Sequence, residues 1–176
     1  MIPPTPRRPV VLQIAGYKNS GKTTLIAALV RLLKQSGLTV GTVKHDAHDF
    51  AIDTPGTDTW RHREAGADIT AISSSRSSAI MRGAPESLDG LLAHMRGVDV
   101  VLVEGFKLEP YPKLVLIRRP EDAALANELK AVIAAAVWPE AAAALSRTLP
   151  DESSFPVFAI GDTEAIGAFV MHRVFR

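Results

Sequence analysis

A chain of 176 residues with 47% hydrophobic content is long enough for one domain with a full core and too short to expect two. Its 20 Lys and Arg residues balance 19 Asp and Glu residues, and the formal charge of +1 gives no bulk basic surface for nucleic acid or an anionic membrane. A sequence without cysteine excludes disulfides, thiolate metal sites and thiol catalysis, and it fits a reducing compartment, so we expect a cytoplasmic protein.

The N-terminal segment is rich in proline and carries two arginines ahead of an apolar patch. That patch contains Gln13 and is too short for a secretory signal. A membrane span needs about 18 consecutive apolar residues, and no such run is present. We therefore expect residues 1–9 to be a flexible tail and residues 10–176 to form a single domain, with no membrane partner.

The first elements alternate between strand and helix. Val10 to Ala15 is a continuous apolar run bounded by glycine, which is typical of a strand buried on both faces of a parallel sheet. Residues 22–36 predict a helix with four leucines on one face. Gly37 follows at the position where a glycine in the left-handed conformation commonly ends a helix. Residues 38–44 then predict a second strand.

The rest of the chain continues the alternation. Helices are predicted at 57–67, 85–95 and 164–174, and strands at 69–75, 77–83, 98–103, 113–118, 131–137 and 155–160. The 123–144 region is rich in alanine but has no repeat. Because strands alternate with helices, the expected fold is α/β, a three-layer sandwich with a mostly parallel sheet and helices on both faces.

A phosphate-binding motif follows the first strand. Gly16-x4-Gly21-Lys22-Thr23 matches the full Walker A pattern in its strand–loop–helix context. The glycines let backbone N–H groups turn inward around phosphate oxygens, and the helix presents its positive end to them. Lys22 is expected along the β and γ phosphates, and the Thr23 hydroxyl on Mg²⁺. The predicted nucleotide-binding residues are Gly16, Tyr17, Lys18, Asn19, Ser20, Gly21, Lys22, Thr23 and Thr24.

Two carboxylates are candidates for the metal side of this site, together with Thr23. Glu104 directly follows the apolar run VVLV, the position of a Walker B carboxylate, although Asp is commoner there. Its structural alternative is a strand-end carboxylate paired to Lys107. Asp46, which follows the predicted strand 38–44, is the second candidate.

The segment HDAHDFAIDTPGTD is a polar loop that Pro55 and Gly56 keep from regular structure. Three interpretations are open: a metal site, a switch or substrate loop beside the nucleotide, and a solvated loop. The irregular His and Asp spacing disfavours structural zinc. The residues predicted for a substrate or switch loop are His45, Asp46, His48, Asp49 and Asp53.

Three blocks in this order, GYKNSGKTTL, VKHDAHDFAIDTPGTDTWRHREAGA and LVEGFK, resemble the molybdopterin-guanine dinucleotide biosynthesis protein B family. These proteins are GTP-binding adaptors of molybdenum cofactor maturation. The resemblance is distinctive over roughly residues 10–120, and the loop block is its most specific part. It implies a P-loop fold, GTP with Mg²⁺, at most slow hydrolysis and a homodimer. The implied partners are the molybdopterin guanylyltransferase and molybdopterin or its guanine dinucleotide.

The resemblance places His45, Asp46 and Glu104 beside the phosphates, where the family's KH-D and EGFK motifs lie. No Asn-Lys-x-Asp guanine motif is present, so GTP over ATP rests on the resemblance alone. Related P-loop dimers carry an extra lysine five residues before the Walker lysine. Tyr17 holds that position here, and Lys18 therefore receives no intersubunit role.

A small-molecule kinase or ATP-dependent ligase on the same loop is the alternative function. It would recruit mobile arginines over the γ-phosphate, and two pairs are available, Arg61/Arg63 and Arg118/Arg119. No lid-like insertion separates the elements, which disfavours this alternative. A switch GTPase would need a residue that positions the attacking water, and the sequence identifies none. The run around Arg76 is either an anion site or a polar turn.

Overall fold

The computed structural model describes residues 8–46, 49–148 and 155–174. The chain divides into two compact units, one made of residues up to His45 together with residues from Leu91 onward, the other of Asp46–Gly90. Within the described residues, no helix combines the length and apolar content needed to cross a membrane. The predicted tail at 1–9 falls mostly outside the described residues, and the single domain over 10–176 stays a prediction.

The elements follow one another in a β/α alternation. The strands are β1 (Val10–Ala15), β2 (Val40–Lys44), β3 (Ile69–Ser73), β4 (Ser78–Arg82), β5 (Val100–Glu104), β6 (Lys113–Ile117), β7 (Val132–Val137) and β8 (Val157–Ala159). The helices are α1 (Lys22–Gln35), α2 (Asp58–Glu64), α3 (Leu88–Ala93), α4 (Ala124–Glu128), α5 (Pro139–Thr148) and α6 (Thr163–Val174), with a 3₁₀ turn at Pro120–Ala123 before α4.

The first unit is built on a six-stranded sheet in the order β2-β5-β1-β6-β7-β8, and every described pairing in it is parallel. In the register, Glu104 lies beside Ile14 of β1 and beside Lys44 of β2. Because parallel strands all run the same way, their carboxyl ends share one edge. That edge carries the loops after β1, β2, β5, β6 and β7.

Helices cover both faces of this sheet. Leu12 and Ile14 of β1 pack with the apolar side of α1 and with α6 on one face. Ala15 points to the other face and packs with residues of the 3₁₀ turn, α4 and α5. The predicted three-layer α/β sandwich is confirmed.

The chain changes direction between β1 and β6. From β1 the chain passes through α1 to β2, which lies toward one edge of the sheet. From β6 it passes through the 3₁₀ turn and α4 to β7, which lies toward the opposite edge. In open α/β sheets a crevice opens at the carboxyl edge where neighbouring connections diverge in this way, and ligands bind there. The crevice of this sheet therefore lies between the loop after β1 and the loop after β6.

The second unit contains α2 and an antiparallel hairpin of β3 and β4. Thr57 caps α2, its hydroxyl accepting a hydrogen bond from Trp60 N at 3.3 Å. One face of the hairpin buries Thr70 and Met81, which are paired in the register. The opposite face leaves Ile69 54% and Ile80 71% exposed. These two isoleucines share their face with Ala71, Arg82 and two serines, and we call it the Ile69/Ile80 face.

Most predicted elements are present, and β1 has the predicted bounds. The helix predicted at 85–95 forms only over Leu88–Ala93, and the strand predicted at 155–160 only over Val157–Ala159. The alanine-rich region contains α4 and α5, which the sequence prediction left unassigned. Alanine favours helix but supplies little apolar periodicity, so the pattern that locates a helix is weak there.

Candidate functional site

The loop between β1 and α1 needs its two glycines for different reasons. A Cβ on Gly16 would lie 2.6 Å from Ser20 Oγ and 3.1 Å from the Leu116 carbonyl oxygen, so a side chain would collide with the loop and with β6. Gly21 has a φ of 97°, a left-handed conformation that glycine adopts without steric cost. Asn19 is also left-handed, with a φ of 62°. The loop therefore has the tight backbone that the Walker A pattern predicts.

Lys22, the first residue of α1, folds back over this loop. Its Nζ donates a hydrogen bond to the Tyr17 carbonyl oxygen at 2.8 Å. Partial burial lowers the pKa of Lys22, Glu104 opposes that shift, and the neighbouring Lys107 and Lys44 add to it. The ammonium thus lies near one carboxylate and two lysines, and in the part of the chain that the structure describes its hydrogen bond goes to a neutral carbonyl oxygen.

Thr23 and Glu104 meet at the same edge of the sheet. The Thr23 hydroxyl lies 3.0 Å from both carboxylate oxygens of Glu104. Lys107, the structural alternative partner of Glu104, instead places its ammonium 4.4 Å from the centroid of the Tyr17 ring. Mg²⁺ in nucleotide sites is commonly held by one or two protein oxygens together with phosphates and waters. A hydroxyl and a carboxylate in contact fit that donor set.

Gln13 supports the loop that follows Glu104. It is fully buried in β1, and its Nε2 donates to the carbonyl oxygens of Gly105 at 3.2 Å and Phe106 at 2.6 Å. Phe106 has a φ of 51°, an uncommon backbone conformation for a bulky residue. These bonds help to hold that turn, so Gln13 positions the backbone next to Glu104. In the sequence, this supporting role is indicated by a polar residue inside the apolar run VVLQIA.

Lys113 supports the far end of the same loop. Its side chain is fully buried, and Nζ donates to the carbonyl oxygens of Glu109 and Tyr111, the latter at 2.9 Å. Burial lowers the pKa of Lys113, and nearby Glu109 opposes the shift. In the sequence, this role is indicated by a lysine at the first position of the apolar run KLVLI, and it was not predicted.

Two further residues brace the Walker loop from the neighbouring strands. Trp138, directly after β7, donates from Nε1 to the Ser20 carbonyl oxygen at 2.9 Å. Arg118, directly after β6, donates from its guanidinium to the Asn19 carbonyl oxygen. The Arg118 guanidinium also lies 4.9 Å from the centroid of the Trp138 ring. Trp138 was missed because its role depends on which strands are neighbours, and the sequence leaves that order open.

His45 lies beside Glu104 at the end of β2. Its backbone N–H donates to the Glu104 carbonyl oxygen at 2.9 Å, and its ring lies 4.7 Å from the ring of Phe106. A Cβ on Gly105 would approach the His45 Cβ to 3.1 Å, so a glycine suits this close approach. The KH and EGF segments are thus adjacent in space.

The remaining residues of the predicted substrate or switch loop belong to the second unit. Asp53 Oδ1 accepts hydrogen bonds from Thr54 N at 2.8 Å and from the Thr57 hydroxyl at 3.1 Å, which closes the turn before α2. Asp46 and Asp49 are exposed, and His48 lies outside the described residues. The role of this loop stays a prediction.

The rest of the predicted nucleotide-binding set faces outward or supports the loop. Tyr17, Lys18, Asn19 and Thr24 are exposed, whereas Ser20 is buried. Within the described chain, Ser20 Oγ is buried and has no hydrogen-bond partner. A buried hydroxyl in a phosphate-type loop is a polar group that a bound anion can satisfy.

Comparison with known proteins gives one consistent family. The family model described as molybdopterin guanine dinucleotide synthesis protein B matches residues 11–138. A molybdopterin-guanine dinucleotide biosynthesis adapter protein of Haemophilus influenzae is 37% identical over 85% of each chain. The crystal structure of Bacillus subtilis MobB has a TM-score of 0.73 at 30% identity, covering 93% of this chain and 96% of that one. The MobB homologue from Bacillus stearothermophilus has a TM-score of 0.71 at 32% identity, covering 94% and 97%. The chain therefore belongs to the molybdopterin guanine dinucleotide synthesis protein B family.

Proposed function

We propose that this protein binds GTP with Mg²⁺ at the Walker loop and acts as an adapter in molybdopterin-guanine dinucleotide biosynthesis. In this role it assists the guanylyltransferase that joins GMP to molybdopterin. The observation that carries the proposal is the Lys22, Thr23 and Glu104 arrangement in a chain whose curated relatives are named adapter proteins. The proposal includes a cytoplasmic location, which the cysteine-free sequence suits.

The electrostatics of Lys22 favour an anionic ligand. In the described structure its ammonium is partly desolvated, lies near two other lysines and the Glu104 carboxylate, and has one carbonyl oxygen as acceptor. A phosphate oxygen would replace that neutral acceptor by a charged one, which adds Coulomb attraction between opposite charges to the hydrogen bond. Binding would therefore raise the pKa of Lys22 toward its ordinary value, which is the sign expected of a phosphate contact.

Slow GTP hydrolysis is expected from the contacts that Arg118 makes. An arginine that stabilises the transferring phosphoryl group is worth about 10³–10⁵ in rate. Arg118 is the arginine in contact with the Walker loop, and it binds the Asn19 carbonyl oxygen and stacks on Trp138. An arginine engaged in that way braces the loop, so the isolated protein is expected to hydrolyse GTP slowly at most.

Replacing Lys22 with alanine tests the phosphate contact. Truncating one side of a partly buried charge pair costs about 2–5 kcal/mol of binding free energy, so calorimetry with Mg·GTP should show binding lost or strongly weakened. The melting temperature of the free protein should hardly change, because Lys22 makes a single hydrogen bond there. Lys34→Ala, an exposed lysine of the same helix, is the control and should bind normally. Equal affinity in both variants would contradict the proposed site.

Glu104→Gln tests whether the Glu104 carboxylate takes part in Mg²⁺ binding. The substitution keeps size and hydrogen bonding but removes the charge, so the Mg²⁺ concentration needed for GTP binding should rise by about 10–100-fold. Titrating Mg²⁺ at fixed GTP measures this, with Glu128→Gln on the exposed end of α4 as control. Unchanged magnesium dependence together with a lower melting temperature would make Glu104 structural and move the metal role to Asp46.

The adapter role itself is tested by separating GTP binding from delivery. His45→Ala combined with Asp46→Ala removes the first two side chains of the predicted loop, the first of which has its backbone N–H bonded to the Glu104 carbonyl oxygen, and it leaves the Walker loop unchanged in sequence. In a coupled assay with the guanylyltransferase, formation of guanylated cofactor should fall, while GTP affinity falls less than in Lys22→Ala. If the double variant supports the transferase as well as the unchanged protein, the loop has no part in delivery. Equal and strong hydrogen-exchange protection of residues 45–58 with and without GTP would likewise contradict a moving loop.

The proposal extends to a homodimer through the Ile69/Ile80 face. Ile69 and Ile80 are exposed on the Ile69/Ile80 face, and a second copy of the chain that covers them would remove this apolar surface from water. Ile80→Glu should therefore shift the protein from dimer to monomer in sedimentation velocity. Leu108→Glu, which replaces another apolar side chain at 93% exposure, should leave the dimer intact. A monomeric unchanged protein would refute the dimer, and a dimer that survives Ile80→Glu would exclude this face.

A further inference from the structure

A cavity of about 610 Å³ opens beside the Walker loop on the side of β6. Its walls include Lys18 and Asn19 of the loop after β1, and Arg118, Arg119 and Glu121 of the loop after β6. These are the two loops between which the chain changes direction. The cavity therefore occupies the crevice where open α/β sheets bind their ligands, and its volume suits a small organic ligand.

We propose that this cavity holds the purine base of the bound nucleotide, with Arg118 as the stacking platform and Glu121 as the group that selects guanine. The inference rests on the proposed nucleotide binding, because the phosphates must first be held by the Walker loop. It supplies what the sequence lacks, since no Asn-Lys-x-Asp motif is present to read the base.

The stacking argument starts from Arg118. Its guanidinium lies over the Trp138 ring at 4.9 Å while the same side chain lines the cavity. Its hydrogen bond to the Asn19 carbonyl oxygen fixes the guanidinium next to the phosphate loop. Planar guanidinium groups stack on aromatic rings, and bases stack on both. A base entering the cavity would extend this layer of ring and guanidinium.

The selectivity argument rests on the two carboxylates of the loop after β6. Asp122 is buried, and its Oδ2 accepts the backbone N–H groups of Arg118 and Arg119 at 3.2 and 3.0 Å, so it holds the loop in shape. Glu121 is exposed on the cavity wall. The Watson–Crick edge of guanine presents two N–H donors, whereas adenine presents one donor and one acceptor. A carboxylate at that edge pairs with guanine and repels the acceptor of adenine.

Calorimetry with three ligands, Mg·GTP, Mg·ATP and Mg·tripolyphosphate, tests the proposal. Arg118→Ala should weaken GTP and ATP by about 5- to 150-fold, the range of stacking on one base, and tripolyphosphate much less. Arg118→Lys keeps a donor for the Asn19 carbonyl oxygen but loses the planar group, so it should show the same selective loss. Equal weakening of all three ligands in both variants would make Arg118 a brace of the loop only and overturn the base site.

Glu121→Gln should reduce the preference for GTP over ATP by about 5- to 100-fold and leave tripolyphosphate binding unchanged. Glu128→Gln, on the same segment but outside the cavity wall, is the matched control. An unaltered GTP-to-ATP ratio in Glu121→Gln would overturn the assignment of Glu121.

Tryptophan fluorescence gives a readout that does not depend on affinity. The chain has two tryptophans, and in a Trp60→Phe background Trp138 is the one that remains. Saturating GTP should change its emission more than saturating tripolyphosphate does, because only GTP adds a base to the layer of Arg118 and Trp138. Equal responses would overturn the stacking. If tripolyphosphate binds the unchanged protein but not Lys22→Ala, the phosphate site at the Walker loop stands even when the base-site tests fail. If the unchanged protein binds neither GTP nor tripolyphosphate, the proposed function and this inference both fail.

Discussion

Parallel pairing of β1 with β5 on one side and β6 on the other determines the geometry of the whole site. The register sets Glu104 level with Ile14, so the carboxylate reaches the start of α1, where the Thr23 hydroxyl meets it. The same alignment brings Arg118 and Trp138 from β6 and β7 to the carbonyl groups of the Walker loop. A change in strand order or direction would separate these groups even if every local segment kept its structure.

Burial on both faces makes this alignment stable. β1, β5 and β6 lie inside the sheet with helices on either side, and nearly all their side chains are apolar and inaccessible. The fully buried polar residues of these strands are Gln13 and Lys113, and both donate to carbonyl groups of the loop between β5 and β6. Buried polar groups are costly unless paired. Their placement therefore links the core directly to the loop that carries Glu104.

The sequence predicted β1, the Walker loop and α1 because strand burial, glycine placement and helical periodicity all agree over residues 10–36. It placed Glu104 at the carboxyl edge of the sheet because a residue that ends a parallel strand lies at that edge, and there Glu104 contacts the Thr23 hydroxyl. It did not predict α4 and α5, whose alanines give little periodicity, nor the bracing roles of Arg118 and Trp138. Those roles depend on contacts between residues about 100 positions apart, which require the strand order, and local sequence patterns leave that order open.

Under the proposed function, a bound nucleotide and its metal replace the hydrogen bonds that Lys22 and Thr23 make in the described structure. A crystal structure of the protein with Mg²⁺ and a non-hydrolysable GTP analogue would test this replacement. We expect Lys22 Nζ to leave the Tyr17 carbonyl oxygen for phosphate oxygens and the Thr23 hydroxyl to turn from Glu104 to the metal. A complex in which both side chains keep their present partners, with the analogue bound elsewhere, would contradict it.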